Sequence, residues 1–148
     1  MAHAAQTGIL APVPRVGRYL FFTLNGATET VGTTLARLAP LVDGNTVVAG
    51  LGPDCVAALG ARVAGLRAFP DLGAATVAVP ATPCALWCWL RASDRGDLFH
   101  LGREIEATLA GVFTLELAID CFCHRDSRDL TGYEDGTENP VDEAALAA

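Results

Sequence analysis

Toward its C-terminal end the chain carries Gly132-Tyr133-Glu134-Asp135-Gly136, followed at once by Thr137-Glu138-Asn139-Pro140. A carboxylate can act as general acid or base, and a glycine on either side permits backbone angles closed to other residues. Alone the pattern is weak, because Asp135-Gly136 is also an ordinary turn dipeptide. Two metal readings compete with it. Cys84 and Cys88 share a strand face, as do Cys121 and Cys123, so a four-thiolate zinc site can be drawn. Ser127, Asp129, Thr131, Gly132 and Glu138 match a calcium loop in spacing, but the leading Ser and the lack of a second carboxylate before the glycine argue against calcium. An enzyme working through the acidic loop alone lacks a nearby nucleophile or metal set.

The elements that must position this loop are legible from pattern. Arg18 to Leu24 is rich in aromatic and branched residues between Gly17 and Asn25-Gly26, which predicts a first strand. Val31, Leu35, Leu38 and Val42 recur at helical spacing, predicting a helix near 29–41. Thr46 to Leu51 reads as a second strand, and Gly52-Pro53-Asp54 opens a short helical turn through Leu59. Gly60 to Pro83 is irregular. Cys84 to Arg91, apolar on both faces, is expected as a central strand covered on both sides. Ser93 or Asp94 caps a helix near 95–109 whose buried stripe is Leu98, Leu101, Ile105 and Leu109. From Val112 to Cys123 the residues alternate, with Phe113, Leu115, Leu117, Ile119 and Cys121 on one face.

The order β-α-β, connection, β-α-β predicts an α+β fold of the ferredoxin-like split βαβ type, an antiparallel sheet with helices on one face. Residues 1–123 form that domain, and 124–148 form a charged, turn-rich loop that leads into a helix capped by Asn139 with Pro140 at its first position. In this topology the first strand separates the third from the fourth by about two interstrand spacings of ~4.8 Å, which counts against the zinc site. The cysteines then read as small buried hydrophobes, and the two tryptophans as core rather than electron relays.

Composition removes other classes. The chain has 148 residues, 51% of them hydrophobic and 18% charged, so it folds as one domain and is not disordered. A formal charge of −7 opposes nucleic acid as a partner. All ten basic residues are Arg, so a phosphate-loop lysine is absent. The N-terminus shows no export signal, apolar stretches are too short for a membrane helix, and five cysteines without dense spacing suit a cytoplasmic protein.

The nine residues GYEDGTENP resemble the G-x-x-D-G signature of the dye-decolorizing peroxidases, haem enzymes built from two ferredoxin-like halves. Gln6-Thr7-Gly8-Ile9-Leu10 is similar to that family's first-strand lead-in. Leu86-Trp87 through Asp94-Arg95-Gly96-Asp97-Leu98 is similar to its third strand and following helix, and Arg128-Asp129-Leu130-Thr131 to the run entering the motif. The likeness covers nearly the whole chain, but only the N-terminal half of a family member. It implies a haem-dependent peroxidase that reduces hydrogen peroxide while oxidising dyes, phenols or similar small-molecule donors.

On this resemblance Asp135 is the catalytic residue, moving a proton from one peroxide oxygen to the other. A carboxylate with an ordinary pKa of ~3.9 does so best at acidic pH. Gly132, Gly136, Thr137 and Glu138 are implied to lie against the cofactor, haem b. The family's proximal His and distal Arg come from the C-terminal half, so both are expected outside this chain. His3 lies in a terminus, His100 opposite the buried stripe, and His124 on the same side as the loop of Asp135, each a poor axial ligand. The isolated chain is therefore expected to be an inactive fragment whose partner is the missing C-terminal half or another copy. The alternative is a non-catalytic ferredoxin-like binding or oligomerisation module that retains the family loop.

Overall fold

The computed structural model describes residues 5–70, 72, 77, 79–134, 136–141 and 144–145. The branched and aromatic runs form β1 (Val16–Leu24), β2 (Val47–Leu51), β3 (Leu86–Ala92) and β4 (Phe113–Phe122). α1 (Thr7–Leu10) precedes β1, and between the strands lie α2 (Val31–Leu38), α3 (Pro53–Ala58) and α4 (Arg95–Leu109). The helix expected over 29–41 is α2 with a 3-10 turn at each end. Pro40 has no N–H to give, so regular helical bonding stops at Leu38 and the chain tightens. Asp94 is the cap of α4, accepting the amides of Gly96 and Asp97 at 2.7 and 3.3 Å.

The sheet order is β2-β3-β1-β4, and every neighbouring pair is antiparallel, as the split βαβ reading requires. Leu20 pairs with Cys88 and Phe22 with Leu86 on the face that meets the helices. There they pack with Leu90, Val31 and Leu38, and with Leu98, Ile105 and Leu109 of α4, all buried. Burying each such large side chain stabilises the fold by about 1.5–3 kcal/mol. The buried stripe of α4 falls where helical spacing put it, and His100 is exposed.

Two expectations change. The alternation along β4 is broken: Phe21 pairs with Leu117 but Phe22 with Leu115, so Glu116 is an extra, bulged residue. Phe113 and Leu115 therefore face the helices, whereas Leu117 and Ile119 turn to the opposite face and are 50% and 42% exposed against 5% for Phe113. β3 is central, but no helix of the described residues covers the face bearing Trp87 and Trp89, which are half-buried. Its apolarity on both sides marks a surface left open rather than one already covered. Ahead of the first strand, in the lead-in from Gln6 to Leu10, Thr7–Leu10 make one helical turn, tucked against β2.

That turn closes the outer edge of the sheet. The Gln6 carboxamide donates to the Ala49 carbonyl at 2.7 Å and accepts the Ala49 amide at 3.0 Å, using both outward backbone groups of Ala49 in the edge strand. Gly8 is needed for the approach, since a Cβ there would stand 2.7 Å from both the Asn45 carbonyl and Val48 Cγ2.

Candidate functional site

Beyond β4 the chain doubles back on itself. Arg125 and Ser127 take left-handed angles, φ 51° and 71°, which begin a tight reversal, and isolated bridges join His124 to Arg128 and Arg128 to Glu134. Arg128 is the centre of the loop. Its Nε donates to both Asp126 carboxylate oxygens at 3.0 and 3.2 Å, Nη1 to the Gly132 carbonyl at 3.2 Å, and Nη2 to Glu134 Oε1 at 2.7 Å. The guanidinium fork is what lets one side chain span all three partners.

Asp129 organises the next turn. One carboxylate oxygen accepts the Thr131 hydroxyl at 2.6 Å and the amides of Thr131 and Tyr133 at 2.8 and 3.2 Å. The Thr131 hydroxyl bond leads the causes that hold this carboxyl below its ordinary range. Slight desolvation opposes it, and the surrounding amides add to it. Gly132 (φ 95°) and Gly136 (φ 72°) both occupy the left-handed region, so the residues flanking Asp135 follow a path that side chains disfavour. Open space surrounds a Cβ placed at Gly132, while one at Gly136 would meet the Asn139 amide nitrogen at 2.6 Å.

The residues singled out from sequence thus have definite places. Gly132, Gly136, Thr137 and Glu138 are exposed on the loop. Asp135 lies outside the described residues, as does His3. Helical bonding after the loop runs from the Val141 carbonyl to the amides of Ala144 and Ala145. Sequence reasoning gave Arg128 and Asp129 no part in shaping the loop: both belong to the run of family likeness, and Asp129 also to the calcium-like spacing. A lone Arg128 set among Asp126, Asp129 and Glu134 is the signal that marks them.

A cleft of about 350 Å³ separates the end of β4 from the loop, lined by Asp120, Phe122, His124, Arg128 and Leu130 among others. A second, of about 450 Å³, opens on the uncovered sheet face between Phe21, Leu117, Ile119, Pro83 and Cys84. Glu116, re-aimed by the bulge, sits at its rim and accepts the Thr23 hydroxyl at 3.0 Å. The thiols do not converge. Cys88 is buried beneath the helices, whereas Cys121 pairs with Gly17 on the other face. Burial, followed by nearby Cys84, pushes the Cys88 thiol up to about 12, so it is inert at neutral pH.

No protein-family model matches the chain. It is 33% identical over 151 residues to a dye-decolorizing peroxidase of Mycolicibacterium paratuberculosis, covering 94% of this chain and 42% of that protein. A second, from Rhodococcus erythropolis, is 30% identical, with coverages of 95% and 45%. Among solved structures, a DypB variant in complex with manganese superposes with a TM-score of 0.79 at 27% identity, covering 96% of this chain and 50% of that one. DyPB from Rhodococcus jostii does so with a TM-score of 0.74 at 25% identity, covering 98% and 52%. The chain spans about half the length of the relatives it matches.

Proposed function

Because the chain belongs to the dye-decolorizing peroxidase family, of which it is the N-terminal half, we propose that it supplies the proton-transfer side of a haem peroxidase. The observation that carries this reading is the loop ordered by Arg128 and Asp129, whose two left-handed glycines flank Asp135. Such a loop offers exposed backbone and little side-chain bulk, which suits close approach to one face of a flat cofactor. Gly132, Gly136, Thr137 and Glu138 would lie against haem b. When bound, haem supplies the iron that activates peroxide and takes up its oxidising equivalents. Asp135 takes the proton from one peroxide oxygen and returns it to the other, which leaves as water.

The described histidines support a proximal ligand from outside these residues. His100 is exposed on α4, and His124 is half-buried and bridged to Arg128 on the side of the loop itself. The open sheet face around Trp87, Leu117 and Ile119 is where the second half of the enzyme would pack, and without it the same face would drive self-association. That exposure also favours the second reading, a module that binds or oligomerises through the sheet without catalysis. Hydrogen peroxide and a small-molecule donor such as a dye or phenol complete the proposed reaction. Five free thiols suit a reducing, cytoplasmic setting, and no helix among the described residues is long and apolar enough to cross a membrane.

The test is Asp135→Ala and Asp135→Asn in a complete enzyme carrying this half. Stopped-flow mixing with peroxide at acidic pH is expected to show a much slower reaction with haem binding retained. Unchanged peroxide reactivity would remove Asp135 from the mechanism.

A further inference from the structure

Asp129 ties down the backbone that leads into Asp135. Its Oδ1 takes the Thr131 hydroxyl at 2.6 Å and the Thr131 and Tyr133 amides at 2.8 and 3.2 Å. Its main chain is engaged in the same stretch. The Asp129 amide donates to the Tyr133 carbonyl at 3.0 Å, and the Asp129 carbonyl accepts the Gly132 amide at 3.0 Å. Gly132, at φ 95°, supplies the left-handed step that brings Tyr133 back within reach. Bonds from Thr131, Gly132 and Tyr133 thus converge on one residue, and Tyr133 stands two positions before Asp135.

The charge on Asp129 is held differently from that of its neighbours. Asp126 and Glu134 pair with Arg128, and Asp120 of β4 pairs with Arg18 at 3.5 Å. Among the described residues no cation pairs with Asp129, whose oxygen is bonded by a hydroxyl and two amides alone. Facing it across the 350 Å³ cleft are Asp120 and Cys121 of β4 and His124, with Arg128 beside it. Neutral donors of this kind act most strongly on a full negative charge, since hydrogen bonds to an ionised acceptor are about twice as strong as neutral ones. The hydroxyl contact of 2.6 Å has the short length of that charge-assisted class.

We infer that Asp129 is a positioning residue for Asp135 and the acid latch of the loop: ionised, it holds the turn that leads into Asp135, and protonated, it loosens that turn. The ordered loop bonds the carboxylate form, with the Thr131 hydroxyl bond first among the causes that lower its pKa. Loop order is therefore complete above the ordinary 3.8 and is lost as pH falls through the lowered value. Asp135 has to be ionised to take a proton, so a latch that loosens only in stronger acid keeps the loop ordered across the acidic range in which Asp135 works. The link to Asp135 rests on the peroxidase reading; the latch itself does not.

Amide NMR of this chain without haem, titrated from neutral to acid pH, tests the latch. The Thr131 and Tyr133 amide signals are expected to shift together with one midpoint below 3.8, while amides of β1 and β3 hold their positions. Asp135→Asn is expected to keep that transition, and Asp129→Asn to lose it. At neutral pH Asp129→Asn is expected to speed hydrogen exchange of the two amides by about 2- to 10-fold, with the sheet still protected. In a complete enzyme carrying this half, Asp129→Asn is expected to slow the reaction with peroxide by a similar factor with haem absorbance unchanged. Its fall in rate toward acid should also become shallower, because Asp135 then titrates without Asp129. A transition that is lost in Asp135→Asn, kept in Asp129→Asn or shared with the sheet would overturn the latch. Wild-type rate and pH profile in Asp129→Asn, with Asp135→Asn still slowed, would remove Asp129 from positioning and leave the peroxidase reading standing. Wild-type rates in both variants would sink that reading and the link to Asp135 with it.

Discussion

Removing the Arg128 side chain isolates what holds the candidate loop. Arg128 is 32% exposed, and its partners Asp126 and Glu134 are 65% and 58% exposed, so solvent screens both ion pairs heavily. Each is then worth about 0.2–1 kcal/mol, and the bond to the Gly132 carbonyl about 0.5–1.5 kcal/mol. Arg128→Ala is expected to cost the loop roughly 1–3 kcal/mol, a rise of about 5- to 150-fold in its opening. Amide hydrogen exchange reads this directly, because the Asp129 and Gly132 amides are bonded within the loop, to the carbonyls of Tyr133 and Asp129. Their exchange should accelerate by that factor while amides of β1 and β3 keep their protection. Arg128→Lys should recover little, since an ammonium cannot span the three partners. Unchanged loop exchange, or an equal loss of protection in the sheet, would refute the assignment.

Three further outcomes follow from the fold. Cys88 keeps its proton to about 12, while an unfolded thiol loses it near 9.0, so stability should fall as pH rises between those values. Denaturant melts should show that slope, reduced by up to about 1.4 kcal/mol per pH unit in Cys88→Ala. Desolvation raises the Asp43 pKa, but bonds from Val47, Asn45 and Thr46 outweigh it and hold the carboxyl below its ordinary 3.8. Its contribution is present above that value and lost as pH falls through the lowered one. Asp43 is exposed and solvent screens its bonds, so Asp43→Ala should cost no more than about 1 kcal/mol at neutral pH and less in strong acid, measured by the same melts. Gly52→Ala would set a Cβ 2.0 Å from the Cys84 carbonyl and strain the Gly52–Ala85 hydrogen bond of 2.8 Å. A loss of about 1–3 kcal/mol is expected, and an unchanged melting temperature would show that the contact relaxes freely.

Periodicity was enough to find α2, α4 and β4, whose apolar residues repeat at spacings that belong to one kind of element, and apolar, branched or aromatic runs located the other three strands. It failed where a single backbone event changes the face. Leu115 and Leu117 read as neighbours on one side, and only the pairing of Phe21 and Phe22 reveals Glu116 as a bulge between them. Apolarity on both sides of β3 signals two surfaces that avoid water, but not whether this chain covers both. The edge closure by Gln6 depends on contacts 43 residues apart, and no local pattern encodes them. At the loop, GYEDGTENP carried the family likeness, whereas the part played by Arg128 needed coordinates. Its three partners lie within six residues, but their convergence depends on left-handed angles at Arg125 and Ser127.

The most direct measurement of the central claim is a haemin titration of this chain alone and mixed with a C-terminal half of the family, following haem absorbance, sedimentation and peroxide turnover. The account predicts weak, non-stoichiometric binding by a self-associating chain on its own, and a sharp haem band with turnover in the mixture that Asp135→Asn abolishes. Stoichiometric histidine-ligated haem with turnover in the isolated chain would contradict it, because a histidine of this half would then be the axial ligand.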